Sequence, residues 1–338
     1  MDRTALAIII VLVVIGAALT ILLNKNVTAS PEGVGTGETG ILRAGTLQGG
    51  ISTLDIIEQE KLYERYGFKL EVLRFQKTPE ILAALSKGEA DVAVIPAEMA
   101  AKMMQNGEDL VIIAVDMMQN QAILSLDESI NDICGLRGKL VGAVVASGTY
   151  KVFKAYVSTI CNISVVETSE TSNDYIAVVN VPPGSLLDAL ANRDVDAVVI
   201  WEPLVSRIII SLGAKIVDEY RELWSRAGVH GEAVMLVWVA KKEFVENHQD
   251  IIEKFLRARR EAATIWIKDR DKVVNILETL YGLSPSEVEY LYNRVVINDR
   301  PLDKSLINSI YEEWRLAWLG GYLEKDPAGI GEEHFYQS

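Results

Sequence analysis

Two short runs constrain this chain more than anything else in it. Leu187 to Pro203 reads LDALANRDVDAVVIWEP, and Leu82 to Pro96 reads LAALSKGEADVAVIP. Offset by 105 positions, they match at Leu82/Leu187, Ala84/Ala189, Leu85/Leu190, Asp91/Asp196, Val94/Val199 and Ile95/Ile200, six identities in fifteen. Each reads as a helix end, a turn and a near-continuous β-branched run, the pattern of a parallel strand covered on both faces. Each strand then stops at a proline, the second after Trp201 and Glu202. The carboxyl ends of such strands are where open α/β sheets hold ligands. The chain is therefore expected to contain two similar α/β halves with a ligand between their strand ends.

The rest of the sequence follows this plan. In the first half, strand Ile41 to Gly45, turn Leu47 to Gly50, helix Leu54 to Tyr66, strand Lys69 to Phe75 and helix Pro79 to Lys87 lead into Val92 to Ile95. Helix Pro96 to Gln105 and strand Leu110 to Val115 follow. The second half repeats the order: strand Lys139 to Val144, turn Ala146 to Thr149, helix Tyr150 to Ile160, strand Ile176 to Val181, helix Gly184 to Asn192, strand Val195 to Ile200 and helix Pro203 to Leu212. Extended segments at Asn120 to Leu126 and Val234 to Ala240 take the chain out and back. The second unit is thus inserted into the first, giving two lobes and a two-strand hinge. After Ala240 the chain is helical, with Ser284-Pro285-Ser286-Glu287 reading as a capping box. These late helices are expected to pack on the first lobe. Residues 41–122 with 234–338 make lobe 1, and 123–233 make lobe 2.

At the start, Ala5 to Leu23 is uncharged and flanked by Arg3 and Lys25, long enough to cross a bilayer. Residues 1–27 are read as a membrane anchor or signal segment, with secretion after cleavage at Val27-Thr28-Ala29 as the alternative. The long acidic body then lies outside the cell. Residues 28–40 form a flexible tether, and its Gly35, Gly37 and Gly40 lack the strand and helix a nucleotide site needs. A net charge of −14 argues against nucleic acid as a partner. Two cysteines and three scattered histidines leave no metal-ligand spacing, so no metal or cofactor is expected. Cys134 and Cys161 fall at one edge of the second sheet, and either a disulfide or two buried thiols fits that position. Asn26 and Asn162 fit the glycosylation acceptor pattern. Hydrolase elbow, zincin and P-loop motifs are all missing, and Asp91 and Asp196 are read as holding turn backbone.

The runs LRAGTLQGG (42–50), EKLYERYGFKLEVLRF (60–75), PEILAALSKGEADVAVIP (79–96) and VVNVPPGSLLDALANRDVDAVVIWEP (178–203) together resemble a known family. They are similar to the extracytoplasmic solute-binding proteins of ABC transporters, in the nitrate, sulfonate, taurine and thiamine-precursor group. The resemblance spans Ile41 to Leu319 and is most specific at the strand ending in W-[DE]-P. It implies a type 2 periplasmic-binding-protein fold that closes on a small solute without chemistry of its own, feeding a permease and ATPase, as a monomer. An enzyme related to thiamine-pyrimidine synthesis and an orphan sensor are the alternatives, the former needing His230 in the cleft.

Strand ends place the candidate ligand-binding residues. They are Gln48, Gly49, Gly50, Gln76, Lys77, Pro96, Ala97 and Glu98 in the first lobe, and Ser147, Gly148, Thr149, Tyr150, Trp201 and Glu202 in the second. His230 precedes the return crossing. The helix start at Ser147 to Thr149 would suit an anionic group, or Ser147 or Thr149 merely caps its helix. Glu98 and Glu202 work against an anion, unless Lys77 and Lys151 offset them or the solute carries an amine or is a neutral heterocycle.

Overall fold

The computed structural model describes residues 40–337. Eleven strands build two sheets among them. In the first half these are β1 (Ile41–Leu47), β2 (Lys69–Phe75), β3 (Val92–Pro96), β4 (Leu110–Met118) and β5 (Ala122–Ser125). In the second half they are β6 (Leu140–Ala143), β7 (Ser164–Glu167), β8 (Tyr175–Asn180), β9 (Ala197–Ile200), β10 (Lys215–Glu219) and β11 (Val234–Lys241). The first sheet has the order β2-β1-β3-β11-β4, the second β10-β5-β9-β6-β8-β7. The duplication is visible in that order. β1, β2 and β3 correspond to β6, β8 and β9, all parallel. β11 runs antiparallel between β3 and β4, and β5 runs antiparallel between β9 and β10. Each sheet is thus completed by a strand delivered from the other half of the chain.

The β-branched runs read from the sequence are these buried central strands. Val92, Ile95, Val198, Val199 and Ile200 are almost wholly withdrawn from solvent, as strands covered on both faces must be. The paired aspartates have a different task from the one expected. Asp91 accepts the backbone N–H of Arg43 in β1 at 2.8 Å, and Asp196 accepts that of Leu140 in β6 at 2.8 Å. Each carboxylate therefore ties its own strand to the neighbouring strand, at the same place in both sheets, rather than holding its turn.

Several elements depart from the sequence reading. The helix expected over Leu54 to Tyr66 breaks into Thr53–Gln59 and Leu62–Arg65, because Lys61 between them is left-handed at φ 50°. The helix expected from Tyr150 begins two residues earlier, as Gly148–Tyr156, and widens into a π turn at Val157–Cys161. β7 and β10 lie at the outer edges of the second sheet, and Glu167, Lys215 and Glu219 dilute their apolar signal. The late helices pack on both lobes rather than the first alone. Helix Pro285–Arg294 lies against Leu204–Leu212, and Lys304–Leu319 lies against both Gly148–Tyr156 and Ala97–Gln105. The capping box forms as read: Ser284 Oγ receives the N–H of Glu287, and Glu287 Oε2 receives that of Ser284 at 2.6 Å. Among the described residues no helix is long and apolar enough to cross a membrane. The expected span at Ala5 to Leu23, the tether and Asn26 lie outside the described residues.

Cys134 and Cys161 are joined in a disulfide with Cα atoms 5.5 Å apart, which resolves the alternative left open by the sequence. The bond closes a loop with a sequence separation of 27 between a 3₁₀ turn and the end of the π turn. On the chain-entropy account such a loop stabilises by about 3–4 kcal/mol. Replacing both cysteines by serine is expected to lower unfolding stability by about that amount, measured by denaturant titration against the unreduced protein.

Candidate functional site

The strand ends of the two sheets face one another across a cleft. From the first sheet come Thr46 and Leu47 at the end of β1 and Pro96 at the end of β3; from the second come the turn after β6 and Trp201 after β9. The chain passes between the sheets at Gln119 to Gln121 and again before β11. The cleft has an inner cavity of 60 Å³ and an outer vestibule of 830 Å³. The vestibule alone is within the roughly 300–1,000 Å³ range of small-ligand sites. Thr46, Leu47, Gly50, Thr78, Ser147 and Trp201 line both.

The inner cavity is acidic. Helix Ala97–Gln105 begins directly after Pro96, which places Glu98 in its first turn and at 2 % exposure. Glu98 Oε1 has no hydrogen-bond partner. It presses instead on the start of the facing helix. A Cβ added at Gly148 would lie 2.1 Å from Glu98 Oε1 and 2.8 Å from the Pro96 Cβ, so only glycine permits this approach. The helix start that the sequence offered to an anionic group is thus covered by a carboxylate of the opposite lobe. Glu313, from helix Lys304–Leu319, lines the same cavity at 1 % exposure. Its Oε2 accepts Gln119 Nε2 at 3.1 Å, and Gln119 Oε1 accepts the Tyr156 hydroxyl at 2.7 Å. A side chain of the outgoing crossing is thereby bonded to helices on both sides. Burial pushes Glu98 up to about 7. Burial first, and then the neighbouring Glu98 charge, hold Glu313 well above the carboxylate range. The same two carboxylates, with burial the larger cause, keep the Tyr156 and Tyr220 phenols far from ionising.

The third acid of the inner cavity, Glu202, is differently placed. Glu202 Oε1 receives Arg294 Nε at 2.8 Å, and its Oε2 receives the N–H and hydroxyl of Ser206 at 3.0 and 2.8 Å. Arg294 also reaches Glu219 Oε1 at 2.9 Å and the Asn120 carbonyl at 2.9 Å. The Glu202–Pro203 peptide is cis. Glu202 lines the cavity, yet its charge is spent on a buried network that fixes Trp201 and the first crossing to helix Pro285–Arg294. Removing Arg294 would leave that carboxylate buried and unpaired, a defect worth about 3–5 kcal/mol.

Of the remaining candidates, Gln48, Gly49, Gly50, Gln76 and Lys77 line the vestibule, where Gln76 Nε2 donates to Gln48 Oε1. Ser147 and Thr149 line the inner cavity, and Ser147 Oγ also caps its helix by accepting the Tyr150 N–H at 3.2 Å. Three candidates do not join them. Tyr150 is buried in the second lobe and donates to Glu167 at 3.0 Å. Ala97 is buried with its carbonyl accepting Trp314 Nε1 at 2.7 Å. His230 lies in a separate depression with Ser305, Asn308 and Arg315. Lys151, considered as a balancing cation, sits over the Tyr150 and Tyr322 rings. Sequence reasoning missed Met117, Asn120, Gln121, Met235 and Glu313. One signal for Glu313 was present: it shares the apolar face of Leu306, Ile310, Trp314 and Ala317, where an acid is out of place.

Known proteins fit this geometry. The profile of the NMT1-like family matches residues 50–280. The chain belongs to the NMT1-like family. Among curated relatives of this NMT1-like chain, an aliphatic sulfonates-binding protein of Bacillus subtilis is 24 % identical over 259 residues, 74 % of this chain and 70 % of that protein. A taurine-binding periplasmic protein of Escherichia coli is 19 % identical over 230 residues, 66 % of this chain and 67 % of that protein. Among solved structures, the periplasmic aliphatic sulphonate binding protein SsuA from Escherichia coli superposes with a TM-score of 0.68 at 18 % identity, covering 85 % of this chain and 94 % of that one. The alkanesulfonate-binding protein SsuA from Xanthomonas axonopodis pv. citri, bound to MOPS, gives 0.70 at 18 % identity, covering 88 % and 99 %. At that identity the likeness establishes the fold, a periplasmic-binding-protein-like pair of α/β lobes.

The charge state of Glu98 has a measurable consequence for the empty protein. Its folded value lies above the ordinary 4.5, so between about pH 4.5 and 7 the folded state holds the proton that the unfolded chain has released. Stability contributed by that proton is present below the ordinary value and is lost as pH rises through the folded one. Glu313 titrates in the same sense, and the other titratable groups affected by Glu98 are Tyr156, Tyr220 and Tyr322. Glu98→Gln is expected to match the parent near pH 4 and to exceed it by on the order of 3 kcal/mol near pH 8. Chemical denaturation across that pH range reads the difference; parallel curves for the two proteins would contradict it.

Proposed function

We propose that this protein is the extracytoplasmic substrate-binding component of an ABC importer. It captures a small organic solute between the two sheets, closes about its two chain crossings and delivers the solute to a permease driven by an ATPase. The observation that carries this reading is the cleft itself, a vestibule of 830 Å³ bounded by the matched strand ends of both sheets. Its relatives are named as binding proteins for sulfonates and taurine, which places sulfonates, taurine and related small organic solutes first among those to try. In this reading lobe 1 comprises 41–122 and 234–338, lobe 2 comprises 123–233, and the protein works as a monomer. His230, which a catalytic reading needs in the cleft, lies in a depression of its own, and this supports capture over turnover. Residues 5–23 would anchor the body to the outer face of the membrane, with release by cleavage after Ala29 the alternative.

A thermal-shift panel of sulfonates, carboxylates, amines and pyrimidines tests the proposal. One solute class at a hundredfold excess over its Kd adds about 2.7 kcal/mol, which raises Tm by roughly 5 °C for a chain of this size. A panel that leaves Tm unmoved would overturn it. Full-length protein is expected in the membrane fraction after a salt wash, and a version beginning after Ala29 in the soluble fraction.

A further inference from the structure

Three buried acids line the inner cavity, and two of them have no cation of the protein to balance them. Glu98 and Glu313 come from different helices, both line the 60 Å³ cavity, and both are at 2 % exposure or less. Among the described residues, the sole hydrogen bond from another side chain to either carboxylate comes from the neutral Gln119 amide. Among the described residues no lysine or arginine forms an ion pair with either. Arg294, which pairs with the cavity acid Glu202, is committed to Glu202 and Glu219, and Lys102, one turn after Glu98 on its helix, pairs with Glu324. Glu98 Oε1, aimed into the cavity beside Gly148, accepts nothing. Leaving such a group without a donor is costly, more so when it is charged, and a buried unpaired carboxylate is tolerated only while it keeps a proton.

On the reading that this cleft captures a solute, we infer that the solute carries a protonated nitrogen, an ammonium, amidinium or amino-heterocycle, which enters the inner cavity and bonds to Glu98 and Glu313. The cation supplies both the donors and the charge that the protein omits, and charge-assisted bonds of this kind are the strong ones. Any anionic part of a zwitterionic solute then points outward, toward the vestibule where Lys77 stands at the rim. A simple anion is disfavoured because the helix start at Gly148 is already covered by the Glu98 carboxylate. Glu202, the acid most prominent in the sequence, is excluded from this role by Arg294.

Matched pairs that differ in one amino group test the inference: 2-aminoethanesulfonate against ethanesulfonate, 4-aminopyrimidine against pyrimidine, and benzylamine against benzyl alcohol. In at least one pair the amine is expected to bind and its partner to bind at least tenfold more weakly. In Glu98→Gln, whose folding the denaturation measurement above checks, that preference is expected to fall by roughly 10- to 100-fold, the worth of a bond to a charged group. Amine-free members that bind as well as the amines would overturn the inference while leaving solute capture intact. A preference that survives unchanged in both Glu98→Gln and Glu313→Gln would do the same. If no member of any pair binds and the protein purified without denaturation carries no small molecule by native mass spectrometry, solute capture fails as well.

Discussion

Everything in this structure depends on two strands that each half of the chain lends to the other. β11 is inserted antiparallel between β3 and β4, and β5 between β9 and β10. Without the loan each parallel core would end at an unpaired edge, β3 in one sheet and β9 in the other, and such an edge is a site for pairing with other chains. The exchange closes both edges and forces the chain to cross between the lobes exactly where the strand carboxyl ends face one another. A cleft bounded by strand ends and spanned by two short crossings follows from that pairing.

The late helices then decide what kind of cleft it is. Lys304–Leu319 spans the boundary and brings Glu313 to the inner cavity, while Pro285–Arg294 brings Arg294 to Glu202. The same chain thus neutralises one buried acid with an arginine and leaves two others without a cation. Replacing a partner by a neutral amide at Glu313, and by nothing at Glu98 Oε1, keeps the cavity poised for a group from outside. Gly148 makes the arrangement possible, since any side chain there would collide with Glu98 and Pro96.

Much of this was legible in the residues. The β-branched runs gave the central strands, the repeat gave the duplication, and the return of Val234 to Ala240 gave the insertion of one unit in the other. Those signals are local, or nearly so. The partners of Glu202 and the identity of Glu313 were not legible, because they depend on helices some 90 to 215 residues away whose docking is set by tertiary packing. Edge strands β7 and β10 were missed for a simpler reason: short strands at a sheet edge carry too few apolar residues to stand out. The Asp91 and Asp196 pair was seen, but its use in tying neighbouring strands becomes apparent only once the sheet order is known.

The central claim is that the two lobes close on a solute, and a distance across the mouth tests it most directly. Lys77 and Gly184 stand on opposite sides of the vestibule and are exposed. Both native cysteines are bonded to each other, so spin labels at Lys77→Cys and Gly184→Cys report that gap alone. Pulsed dipolar spectroscopy is expected to give a broad or double distance distribution for the empty protein, and one shorter, narrower distance with a saturating amine from the matched pairs. A single distance that stays fixed when that amine binds would contradict the account.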